Sequence, residues 1–133
     1  MVGVLVATHG RLADEFLNSA AMLVGEGEQL ESVCVLPGQS PDDFRAQVEE
    51  KLARLDSGEG VVALVDITGG TPNNTIYRVK MEKNLNVRIV TGVNLPMVMF
   101  SVLDRFDGMT MDELVESLQE NGIQQIKEFG KKK

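Results

Sequence analysis

Four short apolar runs punctuate the chain: residues 2–7 (VGVLVA), 31–36 (ESVCVL), 61–66 (VVALVD) and 86–91 (NVRIVT). The first and third are almost unbroken and rich in β-branched residues. That pattern suits strands of a parallel sheet covered on both faces, rather than an antiparallel sheet wetted on one. Between the runs the spacing lengthens to a helical period. Residues 12–24 place Leu12, Phe16, Leu17, Ala20, Leu23 and Val24 on one stripe that stops at Gly25. Ser40-Pro41 reads as a cap followed by a first-turn proline, opening a helix to about residue 55 with Asp42 and Asp43 at its positive end. Thr71-Pro72 repeats the signal for a helix to about residue 83, and Pro96 starts another through Arg105. Thr110 and Glu113 have capping-box spacing, and the helix they open should end at Asn121-Gly122. Residues 123–129 alternate in a way that predicts a short last strand, and residues 131–133 a frayed basic tail.

Strand alternating with helix implies one α/β domain over residues 1–130, an open and mostly parallel sheet with helices on both faces. Fold statistics put the strand order at 2-1-3-4, plus the short C-terminal strand. With 43% hydrophobic residues among 133, the chain can bury a core and is not a disordered one. A net charge of -7 argues against nucleic acid and against docking on anionic lipid. No apolar run approaches the roughly 18 residues of a spanning helix, so direct membrane insertion is not expected. A single cysteine, Cys34, excludes an internal disulfide and fits a reducing cytoplasm; within SVCVL it reads as a buried structural thiol. Met97-Val98-Met99-Phe100 reads as helix packing, and Glu49, Glu50, Asp112, Glu113 and Glu116 as solvated helix faces.

In open α/β sheets ligands bind beyond the carboxyl ends of the strands, where strand order reverses. In a 2-1-3-4 order the loops after the first and third runs meet there: Thr8-His9-Gly10 and Asp66-Ile67-Thr68-Gly69-Gly70-Thr71-Pro72. His9 is the only histidine. A lone histidine is commonly a solvated ring with no task, but its place at a strand end, before a glycine and a helix start, favours a function. No second histidine or cysteine cluster supports a metal, and no G-x-S-x-G elbow supports a serine hydrolase. What remains is histidine as a nucleophile. Asp66 would accept the Nδ1–H of His9 and leave Nε2 free to attack, although a strand-end aspartate also serves as a turn cap. Gly69-Gly70 before a helix start lets backbone N–H groups approach an anion, with Thr68 and Thr71 adding hydroxyls. The same residues would equally make a tight turn with a threonine cap. Together they describe a phosphohistidine site: nucleophile, orienting carboxylate and anion cradle.

The stretches VLVATHGRLADEFLNSAAMLVG, ALVDITGGTPNN and VRIVTGVNLPM resemble the cytoplasmic IIA component of the mannose-family sugar phosphotransferase system (PTS). They span most of residues 2–100. The strand–THG start and the D-x-x-GG-[ST]-P pattern are specific when both occur. The resemblance implies a phosphotransferase in which His9 accepts a phosphoryl group from the carrier protein HPr. His9 would then pass it to a IIB component, serving the membrane IIC and IID components indirectly during sugar uptake. It maps the orienting aspartate onto Asp66 and the phosphate-binding loop onto Thr68, Gly69, Gly70 and Thr71, with no metal and no cofactor. It also implies a homodimer that exchanges a C-terminal strand, here residues 123–129; with no IIB domain after Lys133, IIB is expected on a separate chain. Thr68 stands where some members carry a large aromatic residue, and the likeness loosens after Phe100.

Three rivals share the fold class. A flavodoxin-like electron-transfer module could use Thr8-His9-Gly10 for the phosphate of FMN, but the chain has no tryptophan and one tyrosine, Tyr77, to stack on the ring. A receiver domain would carry its phosphate on Asp66 and needs an acidic pair where this chain reads Ala7-Thr8-His9. The phosphotransfer subunit that feeds dihydroxyacetone kinase commonly has serine after the histidine, where Gly10 stands here.

Overall fold

A computed structural model describes residues 1–132, with Lys133 of the predicted tail outside the described residues. Strands β1 (Gly3–His9), β2 (Leu30–Val35), β3 (Val61–Val65) and β4 (Val87–Thr91) alternate with helices α1 (Leu12–Val24), α2 (Pro41–Leu55), α3 (Thr71–Lys83) and α4 (Leu95–Leu103). A fifth helix, α5 (Met111–Gln124), follows. All strand pairings are parallel, in the predicted order β2-β1-β3-β4.

The period of two along each strand splits the core into two halves. Val4, Val6, Val62, Leu64 and Val90 face α1, α4 and α5. Leu5, Ala7, Val33, Ala63 and Val65 face Phe44, Val48 and Leu52 of α2 and Ile76 and Val79 of α3. All of β3 and β1 up to Ala7 is buried, which explains their unbroken apolar runs.

Side-chain caps open three helices, two of them, at Ser40 and Thr110, as the sequence predicts. Ser40 Oγ accepts from Asp43 N–H at 3.0 Å, Asn94 Oδ1 from Met97 N–H at 3.1 Å, and Thr110 with Glu113 closes the capping box. Gly25 ends α1 at φ +82°, which favours glycine, its N–H bonded to Ala21 O at 3.0 Å. Met97 and Val98 are buried, with Met99 and Phe100 packed against the same core. Of the solvated acidic faces, Glu49 pairs with Arg45 and Asp112 with Arg88.

Four local expectations are corrected. The stripe on α1 is centred on Ala13 and Ala20, leaving Leu12 and Leu23 exposed. Thr71 is not a cap: Gly70 holds that place and α3 has no side-chain cap. Cys34 is half-buried rather than buried, and burial pushes its thiol pKa up. Residues 123–129 form no strand, because α5 runs on to Gln124. Gly122 fails to stop it because this glycine is a contact, not a cap. A Cβ there would stand 2.6 Å from Met97 Cγ, so the missing side chain lets α5 lie against α4.

At the amino ends of the strands, Arg105 is 8% exposed and, among the described residues, has no carboxylate partner. Its guanidinium donates to Val2 O (2.8 Å), Gln29 O (2.9 Å) and Glu28 O, and to Ser101 O at 3.0 Å. It joins the entries of β1 and β2 to the end of α4. Burial draws its pKa down, with Glu28 opposing.

Candidate functional site

The site at the carboxyl end of the sheet arises from where pairing stops. β1 stays paired with β2 through His9–Val35, but its pairing with β3 ends at Ala7–Val65. The chain leaves β1 through α1 toward one face and leaves β3 through α3 toward the other. His9 is therefore the last residue of β1, and Asp66 lies one residue past β3. The turn after His9 needs Gly10, whose φ is +61° and whose N–H donates to Val35 O at 2.8 Å.

With no strand partner on the β3 side, the His9 main-chain N–H donates to Asp66 Oδ2 at 2.9 Å. The same oxygen lies 2.8 Å from His9 Nδ1, and Asp66 Oδ1 accepts from Ile67 N–H at 2.9 Å. Burial acts to raise the Asp66 pKa. The bonds from the His9 N–H, its ring and the Ile67 N–H outweigh it and hold the carboxyl below its ordinary range. An ionised carboxylate can only accept, so Nδ1 carries a proton, and it is in the neutral ring that the Nε2 lone pair is left free. The aspartate side chain is 14% exposed and the histidine 46%, so the carboxylate is shielded while the ring meets solvent.

Gly70 lies under the ring edge: a Cβ at that position would be 2.7 Å from His9 Cε1 and 3.0 Å from Ile67 Cγ1. Gly69 makes the bend with φ +80°, a conformation that favours glycine. Asn74 Nδ2 holds the Gly69 carbonyl at 2.8 Å, and the Thr68 hydroxyl donates to that of Thr91 at 2.9 Å. At α2, α4 and α5 a side-chain cap takes a first-turn N–H, and at α1 Thr8 Oγ1 accepts from Ala13 N–H at 2.7 Å. Among the described residues α3 has no such cap, so its first-turn N–H groups and its positive end are open to an anion beside the ring.

The six residues singled out from the sequence thus lie at the end of β1 (His9), in the loop after β3 (Asp66, Thr68, Gly69, Gly70) and at the start of α3 (Thr71). His9, Asp66 and Gly70 are in direct contact or bonded, while Thr71 contributes the first turn of α3 and Thr68 points its hydroxyl to Thr91. Three supporting residues were missed. Thr8, fully buried, caps α1 directly before His9; Asn74 and Thr91 hold the glycine loop from outside it. Thr8 and Asn74 were visible as members of THG and GGTPNN, but nothing local marks Thr91.

Fold and site together define a flavodoxin-like α/β domain with a histidine-centred surface site at the sheet's switch point. Residues 3–119 match the family model described as "PTS system fructose IIA component". The chain belongs to this family, the mannose-family IIA components of the sugar phosphotransferase system. It is 33% identical over 126 residues to the "PTS system mannose-specific EIIAB component" of Escherichia coli (strain K12), covering 95% of this chain and 39% of that protein. The chain therefore spans about two-fifths of the length of that relative. The "PTS system sorbose-specific EIIA component" of Klebsiella pneumoniae is 29% identical over 119 residues, 90% of this chain and 85% of its own. Among solved structures, phosphotransferase system component EIIA from Streptococcus agalactiae superposes with a TM-score of 0.86 at 25% identity, covering 97% of this chain and 98% of that one.

Proposed function

We propose that this chain is a cytoplasmic phosphocarrier in which His9 takes a phosphoryl group from phosphorylated HPr and donates it to a IIB component of a mannose-family system. The observation that carries the reading is the double grip of Asp66 Oδ2 on His9, main-chain N–H and ring Nδ1 together, beside the uncapped start of α3. It prepares one ring nitrogen as a nucleophile and places an anion-binding surface next to it. On receipt the His9 Nε2 lone pair forms a bond to phosphorus as the bond to the donor nitrogen breaks; on donation the acceptor's lone pair forms a bond to phosphorus as the bond to Nε2 breaks. Such transfer asks chiefly for in-line positioning and for donors to the equatorial oxygens. The N–H groups of the Gly69–Thr71 turn, with the hydroxyls of Thr68 and Thr71, are suited to that part. Asp66 keeps Nδ1 protonated throughout and favours the positive charge that develops on the ring.

A half-exposed ring fits a protein donor and acceptor better than a small metabolite. A cleft of about 260 Å³ lined by Leu17, Gly27, Leu30 and Val102 lies at the opposite, amino-terminal end of the strands, and one of about 150 Å³ adjoins Thr91, Gly92 and Asn94 after β4. We assign the chain to a homodimer, with the surface around the end of α5 as a candidate contact. Ile123, Ile126 and Phe129 there are exposed apolar side chains in the isolated chain.

The test is intact-mass analysis after incubation with phosphoenolpyruvate, enzyme I and HPr, for wild type and His9→Ala. One added phosphoryl group, lost in acid and absent from the variant, is the expected result. No mass gain with a demonstrably active donor pair would overturn the assignment. A base-labile, acid-stabilised phosphate on Asp66 would point to the receiver-domain alternative.

A further inference from the structure

The bond from the Thr68 hydroxyl to the Thr91 hydroxyl joins the glycine loop to a strand that does not otherwise belong to the site. Thr91 is the last residue of β4 and is in register with Val65, the residue before Asp66. Val93 N–H donates to Val65 O at 3.0 Å, so the main chain of β4 is tied to β3 just where the loop departs. Thr91 thus projects from a position held by sheet pairing, and Thr68 is the loop residue it reaches. The other side of the bend is held by Asn74 through the Gly69 carbonyl. Gly69, at φ +80° with open space around it, would otherwise leave this turn loosely defined.

We infer that Thr91 is a positioning residue for phosphoryl transfer at His9, holding the loop of residues 68–71 in place through Thr68. The inference rests on the phosphocarrier reading. A hydroxyl has one proton and two acceptor sites. In the resting arrangement Thr68 gives its proton to Thr91. When a phosphoryl oxygen arrives at the loop, rotation of both O–H bonds lets Thr91 donate to Thr68 and Thr68 donate to that oxygen. No covalent bond changes. Thr91 then both orients the Thr68 oxygen and polarises its O–H, and a group mounted on paired strands holds a loop more tightly than the loop holds itself.

The experiment compares wild type with Thr91→Val, Thr91→Ser, Thr68→Val and the double variant Thr68→Val/Thr91→Val. Each is supplied with phosphorylated HPr as donor, and kcat and KM are measured alongside thermal melting. Wild type must first accept a phosphoryl group; its failure to do so would sink the phosphocarrier reading itself. Given an active wild type, Thr91→Val should lower kcat about fivefold to tenfold, the size of one neutral hydrogen bond, with KM for the donor unchanged. Thr91→Ser keeps the hydroxyl and should recover most of the rate. The double variant should be no slower than Thr68→Val, because both substitutions break the same bond. The inference is overturned by a wild-type kcat in Thr91→Val, by a loss that serine does not restore, or by losses that multiply in the double variant.

Discussion

Replacing Gly70 with alanine tests whether the floor beneath the ring sets the position of His9. Gly70 has φ -78° and ψ 175°, values any residue adopts, so the backbone itself accepts the change. The cost comes from one methyl group. Its carbon would lie 2.7 Å from His9 Cε1, about 1 Å short of an ordinary carbon–carbon contact. Ile67 Cγ1, at 3.0 Å, closes the other side. The ring is the freer neighbour because it is 46% exposed, so it swings outward and gives up the 2.8 Å contact of Nδ1 with Asp66. Losing that bond costs about 1–2 kcal/mol of stability, which leaves the fold intact. The effect on transfer is larger, since a displacement of about 1 Å in a reacting group is worth about a hundredfold in rate. Rapid-quench measurement of His9 phosphorylation, with NMR of the imidazole resonances, separates the two effects. Gly69→Ala is the control. It places its methyl in open space at a φ of +80°, at a comparable backbone cost of about 1–2 kcal/mol but with no push on the ring. The reasoning fails if Gly70→Ala transfers at the wild-type rate with unshifted ring resonances, or if Gly69→Ala is the slower of the two.

Two further predictions concern stability. Because folding lowers the Asp66 pKa, its contribution is complete above the unfolded carboxylate range and is lost as pH falls through the folded value. The stability difference between wild type and Asp66→Asn, followed by urea titration across pH, should shrink on acidification; a difference that widens contradicts the assigned bonds. Arg105→Met should cost about 3–5 kcal/mol in the same assay, since several main-chain carbonyls lose a charged donor, while the phosphorylation rate at the far end of the sheet is unchanged. A loss below about 1 kcal/mol would show that water replaces the guanidinium without penalty.

What could be read in advance was whatever local chemistry marks. The apolar runs at residues 2–7 and 61–66 have no polar face because both sides of β1 and β3 are covered. His9 stood out as the only histidine, and Asp66 as the one charge ending a strand otherwise made of valine, alanine and leucine. Contacts between distant residues left no such mark. Thr68 and Thr91 are ordinary threonines until the sheet brings them together, and Arg105 shows in the sequence only as a helix end because its partners are main-chain oxygens, which every residue has. The end of α5 was misread for a related reason. A glycine in a helix signals a stop locally, whereas Gly122 is set by what α4 places against it. At Thr71 the cap signal was off by one residue, because a glycine loop can start a helix without a side-chain acceptor.

The occupation of Nδ1 by Asp66 has a consequence for traffic through the site. A ring with one nitrogen committed to a carboxylate has a single atom on which to carry a phosphoryl group, so under the proposed function donor and acceptor must address the same atom from the same side. Their footprints on this chain overlap, and no ternary complex can pass the group along. Turnover then follows a double-displacement scheme, with parallel lines in reciprocal plots. An excess of unphosphorylated acceptor would act as an inhibitor competing with the donor. The speed of the relay would be governed by how fast each partner leaves as much as by the chemistry at His9.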